Sequence, residues 1–453
     1  MTDSAARYTR KIGIALSGGG HRASLFGLGV LLYLTDADRN RDVVSVSSVS
    51  GGSLTNAWLA QRGDYSTLSA EELESQVARP FVRQVAHSGT LWASWTTWLY
   101  VVTLCVSLLA VLGLCWLALD LPALMVLFVA ICLGLFAALR SKVCALAFQR
   151  TLYSADGCPT LLREIQRENV QHIICATDIR AGQHVYFSGD FVCSYQLGWG
   201  SPAMFRLADA VQASAALPGG FPPRWLRTMQ HNFVDGARKT PCFMVLSDGG
   251  VYDNMADQWP IGVSSRKRRW PTTARVLKES NALVIVDASG PMPWASVRRM
   301  RIPAIGEIFA LLRVIRVLYD KTTTTRRSTL VDRFDRAARD QRGLEGALIM
   351  INRSPYWTAD HFSKQADHWP ERAGRASRVL QVLGDENRGE WEILARENSR
   401  VKTTLSRLGG DVSTNLLWHG YVSAMANLHV ILDFPLLSVP PVDRFRRIVA
   451  IER

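Results

Sequence analysis

Cysteine is scarce in this chain and falls into no recognisable motif. Eight cysteines are spread over 453 residues. None is at C-x-x-C spacing, and Cys105, Cys115 and Cys132 lie inside an apolar run, so neither a disulfide framework nor a zinc site is suggested. The first residues, Met1 to Lys11, lack the apolar core of a signal peptide and lead almost at once into a strand; the amino-terminal part is expected to stay in the cytoplasm. Acidic residues are in deficit: 52 Lys and Arg against 39 Asp and Glu give a net charge of +13 and a pI of about 9.6. That balance favours an anionic partner such as a membrane surface or nucleic acid. Apolar residues are not lacking, and 48% hydrophobic content beside 20% charged excludes a disordered chain. The length holds one large α/β domain with insertions, or a few ordinary domains.

Charge is nearly absent from residues 98–139, where Asp120 is the single charged residue. The run is about twice the ~20 residues that one membrane crossing needs. Asp120-Leu121-Pro122 divides it, aspartate capping a second helix and proline entering its first turn, so the spacing predicts a helical hairpin with Asp120 at the far interface. Trp92, Trp95, Trp98 and Tyr100 cluster at the entry as an aromatic belt does. Arg79 and Arg83 upstream and Arg140, Lys142 and Arg150 downstream place both flanks in the cytoplasm. A pair of fully buried core helices would share this composition.

A Walker sequence is also missing, although the chain has a glycine loop. Lys11-Ile12-Gly13-Ile14-Ala15-Leu16 reads as a buried strand running into Ser17-Gly18-Gly19-Gly20-His21-Arg22-Ala23 and then an apolar helix, Leu25 to Leu34. Strand, glycine loop and helix together suit an anion, because bare backbone N–H groups and the helix dipole converge there. No Gly-Lys-Ser/Thr follows, which counts against a nucleotide phosphate. An oxyanion hole and a plain tight turn remain as readings.

Val43-Val44-Ser45-Val46-Ser47-Ser48-Val49-Ser50-Gly51-Gly52-Ser53 reads as a β-branched strand that breaks at two glycines and re-enters a helix through Leu54 to Ala60. Ser48-x-Ser50-x-Gly52 is one substitution from the Gly-x-Ser-x-Gly elbow that lifts a serine hydroxyl out of the backbone. Further on, residues 173–178 and 184–188 read as strands and Leu207 to Ala216 as a helix stopped by Leu217-Pro218-Gly219-Gly220-Phe221-Pro222-Pro223. Two Asp-Gly turns follow, at Asp235-Gly236 and Asp248-Gly249, and each could be a simple hairpin turn.

Together these pieces resemble the patatin-like phospholipase family. Gly18-Gly19-Gly20-His21-Arg22-Ala23 is similar to its oxyanion loop, the stretch around Ser50 to its nucleophile elbow, Gln212 to Pro223 to its Ala-Ser-x-Ala-x-Pro segment, and Asp248-Gly249-Gly250 to its Asp-Gly-Gly motif. The likeness covers residues 11–90 and 151–258; Ala23 and Ser48 stand where the family has glycine, and the hairpin is an insertion. The resemblance implies a Ser/Asp dyad without histidine: Ser50 the nucleophile, Asp248 the base, and Gly18, Gly19 and Gly20 with Arg22 stabilising the oxyanion. It calls for no cofactor and no metal. Chemistry agrees, since a serine hydroxyl needs a base within hydrogen-bond reach and shielded from water. Asp248 has the better context, because Asp235 is followed by Arg238 and Lys239. His21, His231 and His419 lie near turns but lack triad context and are expected to be surface or core polar groups.

The remaining chain says less. Arg266 to Arg269 and Lys321 to Arg327 read as exposed basic loops, and Ile305, Ile308, Phe309, Leu312, Ile315 and Tyr319 as an apolar helix face. No motif for nucleic acid accompanies these clusters, so the basic surface is assigned to solvent or anionic lipid head groups, and nucleic acid is not expected as a partner. The expectation is a three-layer α/β fold with a mainly parallel central sheet over residues 8–440. A membrane hairpin is inserted at 98–139, and the activity is hydrolysis of acyl esters of membrane phospholipid or related lipid. Acyl transfer by the same dyad, and a silent lipid-binding member of the fold, are the alternatives.

Overall fold

The computed structural model describes residues 10–117, 122–155, 157–202, 204–292, 294, 301 and 305–451. Its frame is an 11-stranded sheet. Alternation of buried apolar residues explains the layering. Ile12, Ile14 and Leu16 of β1 (Ile12–Leu16) face one core and Ala15 the other, while Val284 and Val286 of β12 (Ala282–Asp287) join the first core and Leu283 and Ile285 the second. Strands covered on both faces read as continuous apolar runs, as parallel strands do.

The centre of the sheet is parallel: β5 (Gln171–Asp178), β2 (Val43–Val49), β1, β12 and β13 (Glu345–Met350) lie side by side in that order. Beyond β5 the sheet continues antiparallel through β6 (Gln183–Phe187), β7 (Val192–Ser194), β8 (Gly198–Gly200) and β10 (Val234–Asp235). β11 (Phe243–Asp248) also pairs antiparallel with β5 and carries β9 (Arg224–Arg227) on its outer edge. A small two-stranded unit, β3 (Ser154–Ala155) with β4 (Cys158–Pro159), stands apart.

On one face α1 (Gly20–Asp36) and α2 (Gly51–Arg62) pack with short α3 (Ala70–Glu72) and α4 (Arg79–Arg83) and with the long helix Gly410–Leu432. The other face is covered by α8 (Gln258–Arg269) and by the C-terminal half of α9 (Ile305–Asp340), through Trp259, Val263, Leu330 and Phe334. Packing continues through the C-terminal helix Val442–Val449, whose Phe445, Ile448 and Val449 are buried.

The apolar insertion forms two helices, α5 (Trp95–Leu117) and α6 (Pro122–Thr151). Both are long and apolar enough to cross a membrane, and the apolar stretch of each is almost entirely exposed in the isolated chain. Among the described residues the pair is not a buried core: Val102, Val106, Leu109, Phe128 and Leu135 are all exposed. Asp120 and Leu121, where the tight turn was expected, lie outside the described residues. At the base, Trp98 donates to the Trp92 carbonyl at 2.9 Å, Arg150 stands over the Trp95 ring, and Tyr100 donates to the Phe136 carbonyl at 2.7 Å. Trp95, Trp98 and Tyr100 are thus held in place by Arg150, Trp92 and Phe136.

Two sequence expectations are corrected. Arg266–Arg269 is the last turn of α8, and Lys321–Arg327 lies mid-way along α9; neither is a loop. Four consecutive threonines argue against helix by propensity. Here Thr322 and Thr323 return their hydroxyls to the Tyr319 carbonyl, and Arg326 and Arg327 pair with buried Asp257 and Asp287, so tertiary contacts decide the outcome. Arg266 is likewise occupied, bonded to the Tyr186 hydroxyl at 2.8 Å and lying over the Tyr186 and Trp259 rings.

Candidate active site

The site exists because two strands end nose to nose. β2 runs parallel to β5 and stops with Val49 opposite Cys175; β11 arrives antiparallel along the same edge and stops with Asp248 opposite Ala176. The other edge of β5 is taken by β6. Both chains must therefore leave the sheet at one point, and the residues that leave it are Ser50 and Asp248. Close approach demands glycine next: a Cβ on Gly249 would lie 2.2 Å from the Cys175 carbonyl oxygen and 2.8 Å from Val49.

Ser50 caps α2 with φ 49° and ψ −118°, a conformation that L-residues avoid and that costs on the order of 1–3 kcal/mol. Several contacts hold it there. Its N–H donates to Ser214 Oγ at 3.0 Å, and Ser214 donates in turn to the Cys175 carbonyl at 2.7 Å, so α7 (Leu207–Ser214) braces the elbow from behind. Gly51 and Gly52 leave no room for side chains, since added Cβ atoms would meet the Gly20 and Leu16 carbonyl oxygens at 2.2 and 2.5 Å. The serine at position 48, where the family has glycine, is fully buried and receives hydrogen bonds from Asn56 and Ser53.

Asp248 is buried, with Oδ1 accepting the Gly250 N–H at 2.8 Å. Burial pushes its carboxyl up to about 6, opposed by the Ser50 hydroxyl and the Gly250 N–H. Asp248 Oδ2 has no hydrogen-bond partner among the described residues. Asp235, the rival aspartate, is exposed at the end of β10 with φ 59°.

The glycine loop lies directly over the elbow, and a Cβ on Gly18 would sit 3.2 Å from Ser50 Cβ. Its amides are not equivalent. Gly18 donates to the Asn254 carbonyl at 3.1 Å and His21 to the Thr404 carbonyl at 3.0 Å. Gly19 and Gly20, at φ 144° and 60°, have no partner among the described residues. Of the three loop amides, Gly18 is thus engaged within the protein, while Gly19 and Gly20 are not engaged among the described residues. Arg22 also differs from expectation: its guanidinium donates to the carbonyls of Ala288, Ser399 and Val401, which ties α1 to two distant loops. Burial draws it down to about 10, against the attraction of Asp287.

His21, His231 and His419 are all buried and bonded to backbone carbonyls, and burial lowers each. They are core groups and none reaches Ser50. Sequence reasoning missed Ser214, Asn254 and Tyr319 as parts of this site. Tyr319 descends from α9 and donates to Asn254 Oδ1; a Cβ on Gly250 would lie 2.2 Å from its hydroxyl, and one on Gly18 3.6 Å. Its place in an apolar helical stripe looked like ordinary core. Two surface depressions elsewhere, one bordered by Glu71, Glu74 and Arg444 and one by Lys11, Val43, Lys278 and Asn281, include neither Ser50 nor Asp248.

Residues 14–256, more than half of the chain, match the family model described as patatin-like phospholipase. No curated protein matches. Among solved structures, human GIVD cytosolic phospholipase A2 is similar at 14% identity and a TM-score of 0.36, over 64% of this chain and 45% of that one. VipD from Legionella pneumophila is similar at 14% identity and a TM-score of 0.24, over 94% and 86%. This chain thus spans less than half the length of the human protein. The matched residues include the glycine loop, the Ser50 elbow and the Asp248 turn, and the chain belongs to the patatin-like phospholipase family.

Proposed function

We propose that the chain is a membrane-anchored serine acyl hydrolase acting on phospholipid or a related acyl-ester lipid, with Ser50 as nucleophile and Asp248 as base. The head-to-head ending of β2 and β11 carries this reading. It sets a strained serine beside a buried carboxylate whose pKa of about 6 leaves it ionised, yet still basic, at neutral pH.

The steps follow from that placement. Ser50 Oγ attacks the ester carbonyl while its proton passes to Asp248. The oxyanion so formed is met by the free N–H groups of Gly19 and Gly20, aided by the N-terminal end of α1. Collapse expels the alcohol, which takes the proton back from Asp248, and leaves an acyl-Ser50 ester. Water then attacks with Asp248 again as base, releasing the fatty acid and restoring Ser50. Arg22 acts here as a positioning residue that fixes the start of α1.

Anchoring is assigned to α5 and α6, with the catalytic domain on the side of Arg79, Arg83, Arg140, Lys142 and Arg150, the cytoplasmic side by charge. The basic surface suits an anionic leaflet. Labelling by a fluorophosphonate probe in wild type and its absence in Ser50→Ala tests the nucleophile. Asp248→Asn should slow acylation by ~10²–10⁴-fold and Asp235→Asn far less. A greater loss in Asp235→Asn would overturn the choice of base.

A further inference from the structure

The loop that follows α7 touches both ends of the problem, the reacting groups and the membrane anchor. Ala216 accepts the Asp248 N–H at 3.0 Å and the Ser247 hydroxyl at 3.2 Å, so Leu217 begins directly beside the dyad. A few residues later the loop is bonded to α6: Arg140 donates to the Gly220 carbonyl at 3.1 Å and Ser141 to the Pro222 carbonyl at 2.7 Å.

Those two residues mark a boundary on α6. On the N-terminal side Val126, Phe128, Leu135 and Leu139 are exposed; on the other, Ser141, Cys144, Ala147 and Phe148 are buried in the domain. Residues 122–139 rise about 27 Å at ~1.5 Å per residue, close to the ~30 Å of a hydrocarbon core. Given the membrane anchor proposed above, Arg140 sits where the helix leaves hydrocarbon. The Gly220 and Pro222 carbonyls are pinned at that depth.

Apolar side chains are exposed beside this point. Leu217 is 45% exposed, and Trp225, which meets the Phe243 ring edge-on, is 65% exposed. Arg227, two residues beyond Trp225 on the same strand, adds an exposed cation. We propose that the Leu217–Pro223 loop, with Trp225 of β9, is a membrane-contacting threshold of the active site. It is seated on the leaflet that α6 has just left, so that a lipid reaches Ser50 from the bilayer across this loop without passing through water. The occupant of the patch is the bilayer surface itself, continuous with the one the hairpin enters.

The test uses the full chain in nanodiscs of phosphatidylcholine with phosphatidylglycerol. A fluorophore introduced at position 225 should be quenched by nitroxide-labelled lipid, whereas one at Ile393, equally apolar and exposed on the helix Arg388–Arg400, should not. Trp225→Glu should lower hydrolysis of phospholipid in the same nanodisc about tenfold and leave hydrolysis of a water-soluble short-chain ester within about twofold, with Trp225→Phe near wild type. Equal quenching at both positions, or equal losses on both substrates, overturns the threshold. Quenching at 225 in a protein that hydrolyses neither substrate would instead sink the hydrolase reading and leave the surface standing.

Discussion

α1 and the first half of α6 are alike as sequences and opposite in fate. α1 from Leu25 to Leu34 and α6 from Val126 to Leu139 are both apolar all round, yet every residue of α1 from Gly20 to Thr35 is buried within the protein, while that stretch of α6 is largely bare. α1 is enclosed because other elements come to it: α2, the sheet, and the helix Gly410–Leu432, whose backbone approaches so closely that Cβ atoms at Gly29 and Gly420 would lie 2.2 Å from the Leu417 and Phe26 carbonyl oxygens. Around Gly113 and Gly134 in the hairpin an added Cβ would meet nothing within 4 Å. An apolar helix is covered by something, and for the exposed stretches Trp95–Gly113 and Val126–Leu139 the described residues supply chiefly the other helix of the pair.

Matched glycine substitutions break this comparison most directly. Gly29→Leu forces a side chain into the Leu417 backbone and is expected to cost ~3 kcal/mol or more, which a domain of ordinary stability barely survives. Gly134→Leu, on a face that the proposed anchor turns to lipid, should leave the yield and thermal midpoint of the detergent-solubilised protein unchanged. If Gly134→Leu proved as damaging as Gly29→Leu, the hairpin would have a protein partner in that face and not a bilayer.

A charge gives the next largest effect. Leu133 is 47% exposed, so in a water-soluble protein Leu133→Arg would be harmless. At the centre of a membrane helix the same change costs ~2.5–3.5 kcal/mol of insertion. Membrane flotation of Leu133→Arg against Val382→Arg, an exposed apolar position on the helix Pro370–Leu383, separates the two cases. Unchanged flotation of Leu133→Arg would remove the argument for a spanning hairpin.

Much of this was legible in the sequence, and the reasons are local. β1, β2 and β5 announce themselves as β-branched apolar runs. Gly20, Gly51 and Gly52 stand where close backbone contact forbids a side chain, and the lack of charge in 98–139 has only a few physical meanings. What could not be read depends on partners distant in the chain. Nothing at Gly18 tells that its amide is taken by Asn254, nothing at Arg22 that Ser399 and Val401 claim its guanidinium, and Thr322 to Thr325 look unlike a helix until Asp257 and Asp287 are seen beside Arg326 and Arg327. Tyr319 was hidden for the same reason: one hydroxyl distinguishes it from its apolar neighbours, and only the fold shows where that hydroxyl goes.

The buried charge of Asp248 offers the smallest and most discriminating effect, because it sits in the protein interior as α1 does but without being apolar. Burial holds its carboxyl at about 6, above the 3.8 of a free aspartate, so the native state grips this proton more tightly than the unfolded chain. The associated stability is fully present below about pH 4 and is lost as pH rises through about 6. Acylation runs the other way, needing the ionised form, and should climb to a plateau with a midpoint near 6. Asn at this position keeps an oxygen for the Gly250 N–H and presents an N–H₂ toward Ser50 in place of the unpaired Oδ2. Asp248→Asn should therefore be inactive but more stable than wild type at pH 8, on the order of 2 kcal/mol, with the gain vanishing by pH 4. Thermal midpoints of both proteins across that range decide the matter. Lower stability of Asp248→Asn at pH 8 would show that the carboxylate holds the Gly249 turn together, and that its elevated proton affinity is a by-product of burial, not a property kept for catalysis.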